Sequence, residues 1–318
     1  MNGHLKEFYA GKKVLVTGGA GFIGSHLVEK LVALEAKVTV LDNFTTGFMN
    51  NLRNVLPYIS LQYADITSPY STLQGSVGKE IVFHLAAFIS VPNSIKYPDH
   101  CKLINEIGLA NTLNASIKNG VKSFVFSSSA AVYGNKETVC HENDTPNPQS
   151  PYATSKLNGE AMCRETSLQT GMATTALRYF NVYGERQNPN GDYAAVVAKF
   201  TDCLKTSTPI TVYGDGLQTR DFIPVSKVVD ANLMAGTQLH HAGEIINVAS
   251  GSSITLLDLI TQLENELDIK RAALLYKQTR DGDIKNSAAS NQKLQQLLSR
   301  NLIHVAQMSQ QLFGERLS

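Results

Sequence analysis

The sequence predicts an α/β protein: a doubly wound parallel sheet with a smaller C-terminal α/β lobe. Three observations carry this. Short apolar stretches alternate with amphipathic stretches at helical spacing up to about Phe180. The apolar stretches have no polar face, so their sheet must be covered on both sides, as parallel sheets are. After Phe180 the alternation loosens into text rich in Asn, Gly and Pro, where the chain leaves the first sheet.

The elements follow in order. Val14-Leu15-Val16 reads as the first strand, and Phe22 to Leu34 as a helix with Ile23, Leu27, Leu31 and Leu34 on one face. Val38 to Leu41, Ile59 to Tyr63 and Ile81 to Phe83 read as strands two to four. A long helix spans about His100 to Lys118. Phe124 to Phe126 is the fifth strand, Pro151 to Ser167 a helix, and Thr174 to Arg178 the sixth strand. Asn181 to Asp192 reads as loop. A helix from about Ala195 to Leu204, a strand at Ile210 to Val212, and a strand at Ile245 to Val248 returning to the main sheet come next. Leu256, Leu259, Leu263 and Leu267 mark a further helix. Residues 1–180, with about 226–249, are thus expected to form the first domain. Residues 181–225 and 250–318 are expected to form the smaller lobe, with the ligand cleft between.

Composition removes several function classes. The 318 residues are 43% apolar and 17% charged, with a formal net charge of +1. A polyanion-binding face and disorder are both disfavoured. No window approaches 18 uninterrupted apolar residues, and Met1 to Ala10 has no apolar run, so neither a membrane span nor a leader is expected. Cys101, Cys140, Cys163 and Cys203 are scattered without a Cys-x-x-Cys pair, so no metal site is expected and a reducing, cytoplasmic setting is.

The first strand runs into Gly18-Gly19-Ala20-Gly21-Phe22-Ile23-Gly24. Gly18, Gly21 and Gly24 permit a tight turn and close backbone approach to a pyrophosphate, and the next helix offers its first N–H groups. This is the Rossmann-like arrangement for a dinucleotide. Asp42 ends the second strand 18 residues after Gly24. A carboxylate there accepts from both ribose hydroxyls and repels a 2′-phosphate, so the cofactor expected is NAD. Asp65-Ile66 could hold the adenine.

Tyr152 and Lys156 stand at i and i+4 on one helix face. A tyrosine ordinarily loses its proton near pH 10, and a neighbouring ammonium favours the phenolate, making Tyr152 a candidate base. Ser127-Ser128-Ser129 ends the fifth strand at the carboxyl edge of the sheet, where a hydroxyl can meet the same substrate oxygen.

The glycine motif, His84-Leu85-Ala86-Ala87, Asn105, the serine run with Val132-Tyr133-Gly134, and Tyr152 with Lys156 together resemble the extended short-chain dehydrogenase/reductase family over roughly residues 12–290. Arg178 to Gly184, Gly214-Asp215-Gly216 with Arg220-Asp221-Phe222, and Arg280 to Asp283 narrow the likeness to UDP-hexose 4-epimerases. The resemblance implies Ser129, Tyr152 and Lys156 as catalytic residues. It implies cofactor contacts from Gly18, Gly21, Phe22, Ile23, Gly24, Asp42, Asn43, Asp65, Ile66, Leu85, Ala86, Ala87, Asn105, Ser127, Tyr152, Lys156 and Tyr179. It implies UDP-sugar contacts from Ser90, Ser129, Asn181, Tyr213, Arg220, Arg280, Asp283 and Ser287, and a homodimer through helices 100–118 and 151–167. Arginines suit a diphosphate because their donors are planar and forked.

Within the family, water-eliminating and decarboxylating members often carry an acid just after the catalytic hydroxyl residue. Here Ala130 and Ala131 follow Ser129, which disfavours both reactions. In that resemblance the position four residues after Asp283 helps set the space around the sugar C2; here it is Ser287, which implies room there, and Ser90-Val91-Pro92 resembles epimerases of N-acetylated sugars. UDP-N-acetylglucosamine/UDP-N-acetylgalactosamine interconversion is therefore expected, with UDP-glucose/UDP-galactose second. The alternatives are a uronate epimerase or dehydrogenase and a catalytically idle NAD-binding sensor. Residues 292–318 match the family poorly, although Leu294, Leu297 and Leu298 predict a helix.

Overall fold

The structure, a computed structural model, describes residues 2–188, 196–238, 242–279 and 285–299. Arg280 and Asp283 lie outside the described residues. So does the stretch 189–192 of the expected loop.

Seven strands form the main sheet: β1 Lys13–Thr17, β2 Lys37–Asp42, β3 Ile59–Tyr63, β4 Ile81–His84, β5 Ser123–Ser129, β6 Ala173–Tyr179 and, later in the chain, β10 Ala242–Val248. Their order is β10-β6-β5-β4-β1-β2-β3, and every adjacent pair is parallel. The chain builds outward from β1 to β3, then restarts on the other side of β1 with β4. The carboxyl ends of β1 and β4 therefore flank the crevice where sheets of this kind bind ligands.

Helices α1 Asn2–Tyr9, α2 Phe22–Ala33, α3 Pro69–Ser76, α4 Val91–Lys96, α5 Pro98–Lys102, α6 Gly108–Lys118, α7 Pro151–Thr170 and α9 Val225–Gly236 surround this sheet. Between α5 and α6 one wider π turn, Leu103–Ile107, completes the helix expected from His100 to Lys118. Alternation along the strands divides the core. Val14 and Val16 face Leu27, Leu31, Val228 and Leu233, whereas Leu15 faces Leu109, Phe124 and Phe126.

The second lobe has its own core. Helices α8 Val196–Lys205 and α10 Leu256–Leu267 pack Phe200, Leu204, Leu259 and Ile260 around Ile210 and Val212. Strands β8 Ile210–Tyr213 and β12 Leu274–Lys277 form one pair. β7 Asn181–Tyr183, β9 Thr219–Pro224 and β11 Ser253–Thr255 form a three-stranded sheet. A small fourth cluster joins Val132, Tyr133, Cys140, Phe180, Ala249 and Ala289 where the chain passes between the two larger cores.

Several expectations are revised. Asn181 to Tyr183, expected as loop, is the strand β7 paired with β9. Helix α1, an element the sequence reading did not assign, wholly buries Leu5 and Tyr9, and the Tyr9 hydroxyl donates to the Leu233 carbonyl at 2.7 Å. Residues 292–299 are helical as expected. However, Leu294 and Leu297 join the core of the main sheet, not that of the smaller lobe to which this stretch was assigned.

Candidate active site

The glycine turn is shaped by contacts that no side chain could survive. Gly18 has φ +70°, and a Cβ there would sit 2.6 Å from the Ala86 amide nitrogen. A Cβ on Gly24 would collide with the Gly18 carbonyl oxygen. The turn therefore closes against the exit of β4, and α2 closes against the turn. Gly21 is the N-cap of α2 and brings no side-chain acceptor. The first-turn amides, around Phe22, Ile23 and Gly24, are thus donors awaiting an anion. This cradle fits the diphosphate of a dinucleotide.

Asp42 ends β2 beside the same turn. Its Oδ2 accepts from the Ala20 amide and its Oδ1 from the Phe44 amide, both at 2.8 Å. Burial pushes its carboxyl up, and the two amides oppose that. Each oxygen keeps a lone pair for a ribose hydroxyl. Asn43 donates to Asp65 at 2.7 Å, and Thr67 donates to the other Asp65 oxygen through both its amide and its hydroxyl at 2.8 Å. Asp65 thus ties the loops after β2 and β3 together. Ile66 is buried against Gly108, and Asn111, which the sequence reading passed over, donates to the Ile66 and Thr67 carbonyls.

Leu85, Ala86 and Ala87 leave β4 half-buried beside the glycine turn; the Leu85 amide donates to the Thr17 carbonyl at 3.1 Å. His84 is buried, contacts the Thr17 hydroxyl at 3.1 Å and lies face-on to Phe124 and Phe126. Burial, helped by the charge of Lys156, pushes it down to about 3, so it is a neutral core group. Asn105 is buried and fully engaged within the protein. Its Oδ1 accepts from the Phe88 amide at 2.7 Å, and its Nδ2 donates to the Phe88 carbonyl and to the Ser155 hydroxyl. It clamps the loop after β4 to α7.

Ser129, Tyr152 and Lys156 come together at the carboxyl end of β5. The Ser129 hydroxyl faces the Tyr152 side chain and favours its phenolate. Lys156 Nζ donates to the Ser127 carbonyl at 2.8 Å and lies 5.8 Å from the Tyr152 ring centre. Burial lowers Lys156 to about 8. Tyr152 is held above its ordinary value, burial outweighing the Ser129 hydroxyl. The lowering expected from Lys156 alone is thus overturned by desolvation, a factor the spacing did not carry. Tyr179 lies beside the cluster, its hydroxyl donating to Asn232 at 2.9 Å; burial pushes it up to about 12, against the lowering from the nearby Ser127 hydroxyl.

Local caps fix these elements. Ser150 caps α7 through the Ala153 amide, and Ser94 accepts from the Tyr152 amide, both at 3.2 Å. Ser90 caps α4 through the Asn93 amide at 3.2 Å.

A third group lies where β7 meets β9. Asn181 Nδ2 donates to the Asp221 carbonyl at 2.9 Å and reaches Ser287 Oγ at 3.5 Å. Arg220 donates to the Thr219 carbonyl at 2.9 Å. Asp221 turns to the opposite face of β9, where its carboxylate accepts from the Ser250 amide and hydroxyl and the Gly251 amide. A local Arg220–Asp221 pairing is therefore not what orients this strand. Tyr213 ends β8 at the Gly214 turn, its carbonyl accepting from Gln218 at 2.6 Å. Among the described residues no cluster of three His, Cys, Asp or Glu is placed to hold a metal. No described helix is long and apolar enough to cross a membrane.

Known proteins resemble this chain in sequence and fold. The UDP-N-acetylglucosamine 4-epimerase of Methanobrevibacter ruminantium M1, solved with UDP-N-acetylmuramic acid, is 36% identical, with a TM-score of 0.87 over 91% of this chain and 92% of that one. The UDP-glucose 4-epimerase of Thermotoga maritima, solved with UDP-glucose, is 36% identical, with a TM-score of 0.84 over 89% and 91%. The UDP-N-acetyl-alpha-D-glucosaminuronate decarboxylase of Bacillus cytotoxicus is 37% identical over 248 residues, 75% of each chain. The sequence model of one family matches residues 14–249, spanning the glycine cradle, Asp42 and the Ser129–Tyr152–Lys156 cluster: the chain belongs to the NAD dependent epimerase/dehydratase family.

Proposed function

We propose that the protein inverts the C4 centre of a UDP-hexose, foremost UDP-N-acetylglucosamine and UDP-N-acetylgalactosamine, with UDP-glucose and UDP-galactose as secondary substrates. The observation that carries this is the Ser129–Tyr152–Lys156 cluster, set at the same sheet edge as the glycine cradle and followed by Ala130 and Ala131, not by an acid.

The Gly18–Gly24 turn with the α2 amides would hold the diphosphate of NAD, Asp42 its ribose, and Lys156, Ser127 and Tyr179 its nicotinamide end. Bound there, NAD supplies an acceptor and later donor for the C4 hydride, so a 4-keto sugar stands between the two sugars. The chain's own residues handle the proton. Tyr152, as phenolate, accepts it from the C4 hydroxyl, and Lys156 stabilises that form. Ser129 hydrogen-bonds the same oxygen and holds it in line. Tyr152 then returns the proton when the ketose has turned over and been reduced on its other face. Asn181, Tyr213 and Arg220, with Arg280 and Asp283 outside the described residues, would hold the UDP. Ser287, 3.5 Å from Asn181, leaves space for a C2 substituent. The M. ruminantium relative, an epimerase of an N-acetylated sugar, supports this choice.

A uronate substrate is the second reading, favoured by the likeness to the B. cytotoxicus decarboxylase. The test is direct. The purified protein is given UDP-N-acetylglucosamine, UDP-glucose or UDP-glucuronate without added NAD, and the anomeric protons are followed by NMR. Conversion of the first at the highest rate is expected; conversion of the uronate alone would replace the reading. We further propose a cytoplasmic homodimer. Leu103 and Ile107, exposed one turn apart between α5 and α6, with Ile95 and Tyr97 nearby in sequence, support a self-contact there.

A further inference from the structure

Directly behind the Tyr152 cluster lies a second polar group that the proposed chemistry does not use. Glu160 stands one turn beyond Lys156 on α7, and both it and Arg178 of β6 are almost wholly buried. Arg178 Nε and Nη2 donate to the two oxygens of Glu160 at 2.8 and 2.7 Å. Ser128, the residue before Ser129, donates its hydroxyl to the same carboxylate at 2.5 Å. The Tyr133 ring covers the guanidinium at 4.7 Å, and the Tyr133 hydroxyl donates to Asn247 of β10 at 2.6 Å. Ser128, Arg178 and Asn247 are partners in register across β5, β6 and β10. One buried layer thus bolts α7 to three strand ends, immediately under the reactive groups.

A buried ion pair is a poor means of stabilising a fold, because desolvation offsets its attraction. Its value lies in fixed geometry and fixed charge. We propose that Glu160 and Arg178 are positioning residues for the Ser129–Tyr152–Lys156 cluster: their pair holds α7 in register with β5 and sets the electrostatic potential at Tyr152 and Lys156. This rests on the epimerase reading above.

The surroundings of Lys156 leave Glu160 as the anion that matters. From β4 it is faced by His84, kept neutral by burial, and from α5 by Cys101, whose thiol burial pushes up. Its own helix presents Tyr152, Cys163, whose thiol is also pushed up by burial, and Glu160. β5 presents the Ser127 carbonyl, and β6 presents Arg178 through Glu160.

The test uses the full chain with UDP-N-acetylglucosamine and three variants: Glu160→Gln, Arg178→Met, and the double Glu160→Met/Arg178→Met. In each, kcat should fall about tenfold with KM held within about twofold, since misplacement of a reacting group costs rate before binding. The single variants should move the pH at half-maximal kcat in opposite directions. Glu160→Gln leaves Arg178 positive and moves it down; Arg178→Met leaves Glu160 negative and moves it up. Single variants that fold, by circular dichroism, and keep the wild-type pH profile would overturn the proposal. If neither single variant folds, the double decides, because an apolar replacement of a buried pair is tolerated. Wild-type kcat in the double overturns the proposal, and reduced kcat at unchanged KM supports it. Tyr152→Phe is run alongside. Turnover kept there refutes the epimerase reading; turnover lost there, with wild-type behaviour in the others, refutes the positioning role alone.

Discussion

The Lys156 ammonium donates to the carbonyl oxygen of Ser127 at 2.8 Å, so α7 is pinned to the strand that carries Ser129. That bond holds the positive charge 5.8 Å from the Tyr152 ring centre. Under the proposed function, Tyr152 and Ser129 would be the pair facing the sugar.

Replacing Tyr152 by Phe keeps the ring and removes the proton acceptor. Turnover of UDP-N-acetylglucosamine should fall by about 10²–10⁴-fold, the usual contribution of a positioned base. The NAD content of the purified protein should stay the same, measured by releasing the cofactor with acid and separating it by chromatography.

Gly24→Ala should act on the cofactor, not on the proton. The added methyl meets the Gly18 carbonyl, so the turn must open before α2 can pack. NAD should be retained at well under half the wild-type level, while Tyr152→Phe retains it fully. Equal retention in both would show that the turn tolerates the methyl.

Ser287→Tyr places a ring where the Ser287 hydroxyl now lies 3.5 Å from Asn181. The ratio of N-acetylated to plain hexose turnover should fall by about tenfold or more, within the range a steric change in a pocket supplies. An unchanged ratio in paired assays removes Ser287 from the specificity wall.

His84 gives an acid-stability prediction. Burial holds it near 3, against 6.5 when unfolded. Because the folded value is depressed, the unfolded chain takes up the proton first as pH falls. The stability that neutral His84 contributes is complete above about 6.5 and is lost on going down toward about 3, at about 1.4 kcal/mol per pH unit. Urea unfolding midpoints measured from pH 7 to 4.5 should fall less steeply in His84→Gln than in wild type.

The legible part of this protein is its local chemistry. Tyr152 and Lys156 declare a shared helix face by spacing alone, Asp42 ends an apolar strand, and Gly18–Gly24 sits between strand and helix. What stayed hidden depends on distance and burial. β7 is only three residues long and β9 mixes charged with apolar residues, so pairing with each other and with β11 is what makes them strands. Glu160 and Arg178 lie on different elements, so nothing in their spacing announces a bidentate pair. An arginine inside an otherwise buried strand was the one available signal. Burial also set the direction of the Tyr152 shift, against the effect inferred from its neighbour Lys156.

The small cluster of Val132, Tyr133, Cys140, Phe180, Ala249 and Ala289 has a mechanical consequence. Among the described residues the chain crosses from one core to the other at Phe180–Asn181, at Pro224–Val225, at Ala249–Ser250 and between Ala289 and Leu294, where Ala289 also bridges to Cys140. Two bodies joined by a single linker can swing like a hinge; four seams gathered around one apolar knot resist it. Under the proposed function, a sugar that must reverse its face would therefore do so by swivelling between lobes held at a fixed angle, not by the lobes hinging apart.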